Sequence, residues 1–138
     1  MNEKLREREI TRKWLSRVRN YNERLSALKN ALDHHKLSNK TLFECAAEFS
    51  AVKVNNAVDL IRAEIDYLCL KYDEIVGVIS KVACYELRNL LRERYLFGKM
   101  NKEITGSKSL PTIERKLAQA VDEVTKILKS EGKFEKIT

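Results

Sequence analysis

The run Arg94-Tyr95-Leu96-Phe97-Gly98-Lys99-Met100-Asn101-Lys102-Glu103-Ile104, followed by Ser109-Leu110-Pro111-Thr112-Ile113-Glu114-Arg115, decides the fold of this 138-residue chain. Gly98 supplies a left-handed stop for the helix before it. The residues after it leave room for little more than one helical turn, and Gly106-Ser107-Lys108 turns the chain. Ser109 is placed to cap the next helix, with Pro111 tolerated in its first turn. A helix, a stop, a very short helix, a tight turn and a freshly capped helix make the layout of a helix-turn-helix.

Outward from that run, the helix before it is expected to start near Ser80 as N-cap and to carry Leu87, Leu90, Leu91 and Tyr95 as an apolar stripe. The helix after it continues on Ile113, Leu117, Ala120, Val121, Val124 and Leu128 until Gly132, with residues 133–138 as a loose tail. Upstream, Trp14, Val18, Tyr21, Leu25, Leu28 and Leu32 repeat at spacings of four and three, a heptad seam. A second seam runs Val58, Ile61, Ile65, Leu68, Tyr72, Ile75, Ile79 and Val82. Between them Leu37-Ser38-Asn39-Lys40 is the expected break, and the connecting segment 37–56 is expected to hold a short helix. The predicted fold is all-α: a long antiparallel, coiled-coil-like helical hairpin over residues 1–80, a helix-turn-helix domain over 81–132 and a tail over 133–138.

Four glycines, one proline and 34% charged residues exclude a β-sandwich or barrel, which needs turn residues at every corner. The net charge is +7, with +5 in residues 1–36, −3 in 37–80 and +5 in 81–138. The basic excess sits at both ends, and one end holds the helix-turn-helix candidate, which suits a polyanionic partner. Cys45, Cys69 and Cys84 are odd in number and lack CxxC spacing. They read as buried thiols in a reducing compartment. No apolar run approaches membrane-spanning length, so a cytoplasmic protein without a membrane partner is expected.

No enzyme signature is present: no glycine-rich phosphate loop, nucleophile elbow or HExxH. His34 and His35 are adjacent, so on a helix they point about 100° apart and do not converge on a metal. Glu64, Asp66, Asp73 and Glu74 form an acidic helix face better explained by solvation than by acid–base chemistry. No catalytic residue, cofactor or metal is expected.

The segment Leu90-Leu91-Arg92-Glu93-Arg94-Tyr95-Leu96-Phe97-Gly98-Lys99, with Glu103-Ile104 after it, resembles the region-four-like module of sigma factors and phage transcription regulators. In that pattern Ser109, Thr112, Ile113, Arg115, Leu117, Ala120 and Val121 fall in the register of the last helix. The upstream seams with Trp14-Leu15 resemble the amino-terminal part of the small RinA/ArpU-like activators of late phage genes. The chain is two residues shorter than the family pattern between Ile104 and Ser109, and it carries an acid, Glu114, near the front of the last helix.

The resemblance implies a phage or mobile-element transcriptional regulator acting in the cytoplasm of a bacterial host, on duplex promoter DNA, on host RNA polymerase, or on both. Thr112, Arg115, Lys116 and Gln119 would then form the DNA-facing side of the last helix. Arg115 and Gln119, four apart, suit bidentate contacts to guanine and adenine edges. Lys99, Lys102 and Lys108 would contact phosphates around the turn, and Ile104, Ile113 and Leu117 would pack the two helices together. The alternative is a helical protein-interaction module, a phage-encoded inhibitor of a host protein whose degenerate helix-turn-helix serves as packing. A heptad seam also permits a homodimer.

Overall fold

In the computed structural model the chain is all-α, with no strand among the described residues. The structure describes the backbone of residues 2–45, 48–104 and 108–138, and the side chains of the same residues except 35–55. Helices α1 (Glu3–Cys45) and α2 (Glu48–Ser80) are long, and α3 (Tyr85–Leu91) continues into a π-helical turn, Arg92–Leu96. A four-residue α4 (Asn101–Ile104), the long α5 (Leu110–Ser130) and a 3-10 turn (Phe134–Ile137) complete the order. The contacts divide the chain into two compact units, Met1–Arg19 with Asp73–Thr138, and Asn20–Tyr72.

Two boundaries differ from the sequence reading. The expected break at Leu37-Ser38-Asn39-Lys40 is absent, because α1 continues to Cys45. Those four residues include neither glycine nor proline, and serine or asparagine costs a helix only a few tenths of a kcal/mol more than its neighbours do. The described part of segment 37–56 therefore belongs to the ends of α1 and α2, and residues 46–47 lie outside the described residues. Ser80 does not cap the third segment either. It is the last residue of α2, and its hydroxyl donates to the Val76 carbonyl at 2.8 Å. Serine satisfied by its own preceding turn has no need to cap the next helix. Bonds from Lys81 N–H to Val78 O and from Val82 N–H to Ile79 O then tighten the chain into the link before α3.

In the discontinuous unit, Trp14, Leu15 and Val18 of α1, Ile75, Val78 and Ile79 of α2, and Val121, Val124 and Leu128 of α5 are all buried. All but Leu15 and Val78 are seam or stripe positions, so the hydrophobic spacing selects most of the inward face. Two hydroxyls are buried among them: Thr11 Oγ1 and Thr125 Oγ1 lie 2.6 Å apart, and Thr125 also donates to the Val121 carbonyl. In the other unit Leu28 and Leu68 are buried, while Tyr21, Leu25, Leu32, Ile61, Ile65 and Tyr72 are half-buried. There Arg24 clasps Glu64 with two bonds of 2.8 and 3.2 Å. That pair holds the Glu64 carboxyl below its ordinary value and the guanidinium above its own. Both side chains are largely in solvent, so it defines geometry more than it stabilises.

The glycine stops behave as the sequence predicts. Gly98 has φ +72° and Gly132 φ +68°. At Gly132 the bonds Lys133 N–H to Leu128 O (2.8 Å) and Gly132 N–H to Lys129 O (3.1 Å) form a Schellman cap. This cap turns the following residues back, so 133–138 is not a loose tail: it forms the 3-10 turn and buries Phe134. A methyl group added at Gly98 meets nothing within 4 Å. Gly98→Ala is therefore expected to cost about 1–2 kcal/mol through left-handed backbone strain alone, and Gly98→Asn less. Urea midpoints of the two variants measure the difference.

Two of the thiols differ from the sequence expectation. Cys69 and Cys84 are free and exposed, not buried. Cys69 follows the buried Leu68 and so points about 100° away around α2. Cys84 stands in the link at the N-cap of α3, where its side chain makes no capping bond. The Cys45 side chain lies outside the described residues.

Candidate nucleic-acid interface

The α3–α4–α5 region is assembled around Leu90, Ile113 and Leu117, with Leu87 and Ile104 packed against them. Ile104, Ile113 and Leu117 thus meet as the sequence predicts. Met100 precedes α4, and its N–H bonds to the Glu103 carboxylate at 3.2 Å, the returning half of a capping box. Ser109 is extended (φ −73°, ψ 154°), and its hydroxyl accepts from Thr112 N–H at 3.4 Å, with Pro111 in the first turn. Residues 105–107, including the predicted turn at Gly106-Ser107, lie outside the described residues. Between α3 and α4 the chain widens into the π turn, closed by Phe97 N–H to Arg92 O at 2.9 Å. Lys99 N–H then bonds to Glu93 O at 3.0 Å around Gly98.

The seven residues singled out from sequence lie on α5, on α4 and in the links beside α4. Arg115 and Gln119 stand four apart on α5, and both are exposed. Lys99, Lys102 and Lys108 lie before α5: Lys102 is exposed on α4, and the Lys99 ammonium sits 3.4 Å from Glu93. Thr112 is half-buried, with its hydroxyl 2.8 Å from that of Ser109 within the cap. Lys116 and Lys108 are brought together at one carboxylate, because Glu86 of α3 pairs with both. Its bond from Lys116 is 2.5 Å. The neighbouring Lys116 ammonium holds Lys108 below the usual amine range. Glu114 is exposed beside Arg115.

Glu86 was not singled out from sequence. It precedes Lys116 by thirty residues, and no local spacing joins them. The same holds for the contacts that brace α5 from behind. Arg8 of α1 grips Asp122 with bonds of 2.9 and 2.8 Å, and Lys4 approaches the same carboxylate at 3.8 Å. Lys129 pairs with Glu7, and Lys81 with Glu131. Tyr95, on the π turn, is pushed above the ordinary phenol value by burial, against the pull of the Arg12 and Arg94 guanidiniums. Arg8 and Asp122 are each about four-fifths buried, at 20% and 19% exposure. Arg8→Ala is therefore expected to destabilise by about 1.5–3 kcal/mol. Arg8→Lys, which keeps the charge and loses the fork, recovers only part of that loss in thermal unfolding.

No protein-family model, curated protein or solved structure matches this chain significantly. Among the described residues no group of three or more His, Cys, Asp or Glu converges as a metal site, and no helix is long and apolar enough to cross a membrane. The region offers a planar donor and an amide on one exposed helix face, with lysines nearby of the kind that act on phosphate as point charges.

Proposed function

We propose that this chain is a transcriptional regulator of a phage or mobile element, which binds duplex promoter DNA through α3–α4–α5 acting as a helix-turn-helix. The observation that carries this reading is the Leu90–Ile113–Leu117 cluster closed by Leu87 and Ile104, with Arg115 and Gln119 exposed on the same α5. A recognition helix needs that combination: an apolar side seated on its neighbours and a bidentate-capable side left in solvent. The resemblance to RinA/ArpU-like activators and to the sigma region-four-like module points the same way, and adds host RNA polymerase as a partner in the bacterial cytoplasm.

In this reading α1 and α2 form the antiparallel hairpin that docks on that partner or pairs with a second copy. The seam residues support it. Trp14 with Ile79, Val18 with Ile75, Tyr21 with Tyr72, Leu25 with Leu68, Leu28 with Ile65, and Leu32 with Ile61 are each equidistant from the point between residues 46 and 47.

The test is duplex binding across fragments of the source genome as salt is raised. Affinity is expected to fall with a slope of about −0.9 per phosphate neutralised. Absence of binding at about 50 mM salt sinks the reading. A specific observation favours a second reading, the non-DNA interaction module: Glu86 occupies Lys108 and Lys116, and Glu114 stands beside Arg115. Glu86→Gln separates the two. Release of the two ammoniums is expected to tighten DNA binding and to steepen the salt slope by about 1–2. An unchanged slope favours the interaction module.

A further inference from the structure

The side of α2 turned about 160° from its buried seam, at 100° per residue, carries Leu60, Ala63, Tyr67 and Leu70 at spacings of three, four and three. All four are exposed, Leu60 at 73%, Tyr67 at 57% and Leu70 at 59%. This is a second a/d seam on a helix that has already used its first. Large apolar side chains aligned on one exposed helix face mark a docking surface more often than scattered ones do.

The flanks of the stripe say what fits it. Asp59 and Asp66, seven residues apart, line one edge; both are exposed, and neither has an ion pair among the described residues. On the other edge Glu64 is occupied by Arg24, and Lys71 lies over the Tyr67 ring, 5.5 Å from its centroid. We infer that this face receives a basic amphipathic helix from another protein, with apolar residues at three- and four-residue spacing and lysine or arginine beside Asp59 and Asp66. A second copy is disfavoured by register. The antiparallel two-fold pairing that seats Leu60 on Leu70 and Ala63 on Tyr67 brings the two Asp66 carboxylates together, and like charges there oppose association. The same aspartates repel phosphate, so the face does not suit nucleic acid. The inference stands independently of the DNA-binding reading, because it uses residues of the Asn20–Tyr72 unit alone.

The probe is a labelled helix of about six turns made of leucine, alanine and lysine, with leucines at three- and four-residue spacing. It is titrated against the full-length protein by fluorescence anisotropy. Binding is expected to be at least about tenfold tighter than for the same peptide with glutamate in place of lysine. Leu60→Ser with Leu70→Ser is expected to weaken it at least about tenfold at unchanged helicity. Asp59→Lys with Asp66→Lys is expected to reverse the preference between the lysine and glutamate peptides. Three results overturn the proposal. One is equal binding of a peptide with the same composition and scrambled leucines. Another is undiminished affinity in the Leu60→Ser/Leu70→Ser protein. The third is a free protein that sediments as a dimer dissolved by those substitutions, which assigns the face to a second copy.

Discussion

On the DNA-binding function proposed above, Arg115→Ala combined with Gln119→Ala is expected to weaken binding to the preferred DNA site by about 2–6 kcal/mol, from some 30-fold to more than 10,000-fold. Each side chain is suited to two parallel bonds with one base edge, and each such pair discriminates by about 1–3 kcal/mol. Binding to unrelated duplex should fall far less, because only one positive charge is removed and the phosphate contacts remain. Both residues are exposed on α5, so the unfolding midpoint should move by no more than about 0.5 kcal/mol. Competition titrations on selected and random duplexes, alongside urea unfolding, check the two halves together. Equal loss on both duplexes would place Arg115 among phosphate contacts and remove its role in reading sequence.

The largest loss of stability is expected at Leu128. It is fully buried near the end of α5, just before the turn that folds Phe134 back. Leu128→Ala removes apolar contacts and leaves a cavity, at a cost of about 2–5 kcal/mol. Folded domains are stable by only about 5–15 kcal/mol in total. The substitution therefore consumes a large share of the margin, and the urea midpoint should drop sharply with little change in slope. Leu70→Ser, on an exposed face of α2, is the matched control and should change stability by less than about 0.5 kcal/mol.

Much of the helical layout was legible because it is local. The three- and four-residue spacing marks the faces of α1, α2 and α5 that become buried, Ser109 and Pro111 mark the start of α5, and Gly98 and Gly132 mark two stops. The misses come from weaker or longer-range causes. Polar residues such as Ser38 and Asn39 suggest a break, yet they interrupt a helix only where competing bonds or packing outweigh a small propensity cost. Ser80 has the chemistry of a cap but satisfies its hydroxyl within its own helix. Residue type alone points the thiols of Cys69 and Cys84 inward, whereas position around the helix and along the chain decides their exposure. The candidate site was legible as a list of cations and donors. Its electrostatics were not, because Glu86 meets Lys108 and Lys116 only after α3 and α5 pack. The Arg8–Asp122 brace joins residues 114 positions apart. The division of the chain at Arg19 and Tyr72 has no composition signal either, since each point falls inside a continuous helix.

The hydroxyl pair Thr11–Thr125 bears on uniqueness more than on strength. Aliphatic stripes with three- and four-residue spacing tolerate sliding by one turn, because leucine, isoleucine and valine substitute for one another in a packed seam. A slip of α1 by one turn along α5 would part the buried Thr11 hydroxyl from Thr125, at about 1–3 kcal/mol for the orphaned group, while Thr125 keeps its bond to Val121. The native alignment gains little from the bond itself. Its competitors lose more, so two threonines act as an index mark that singles out one alignment from a ladder of near-equivalent ones.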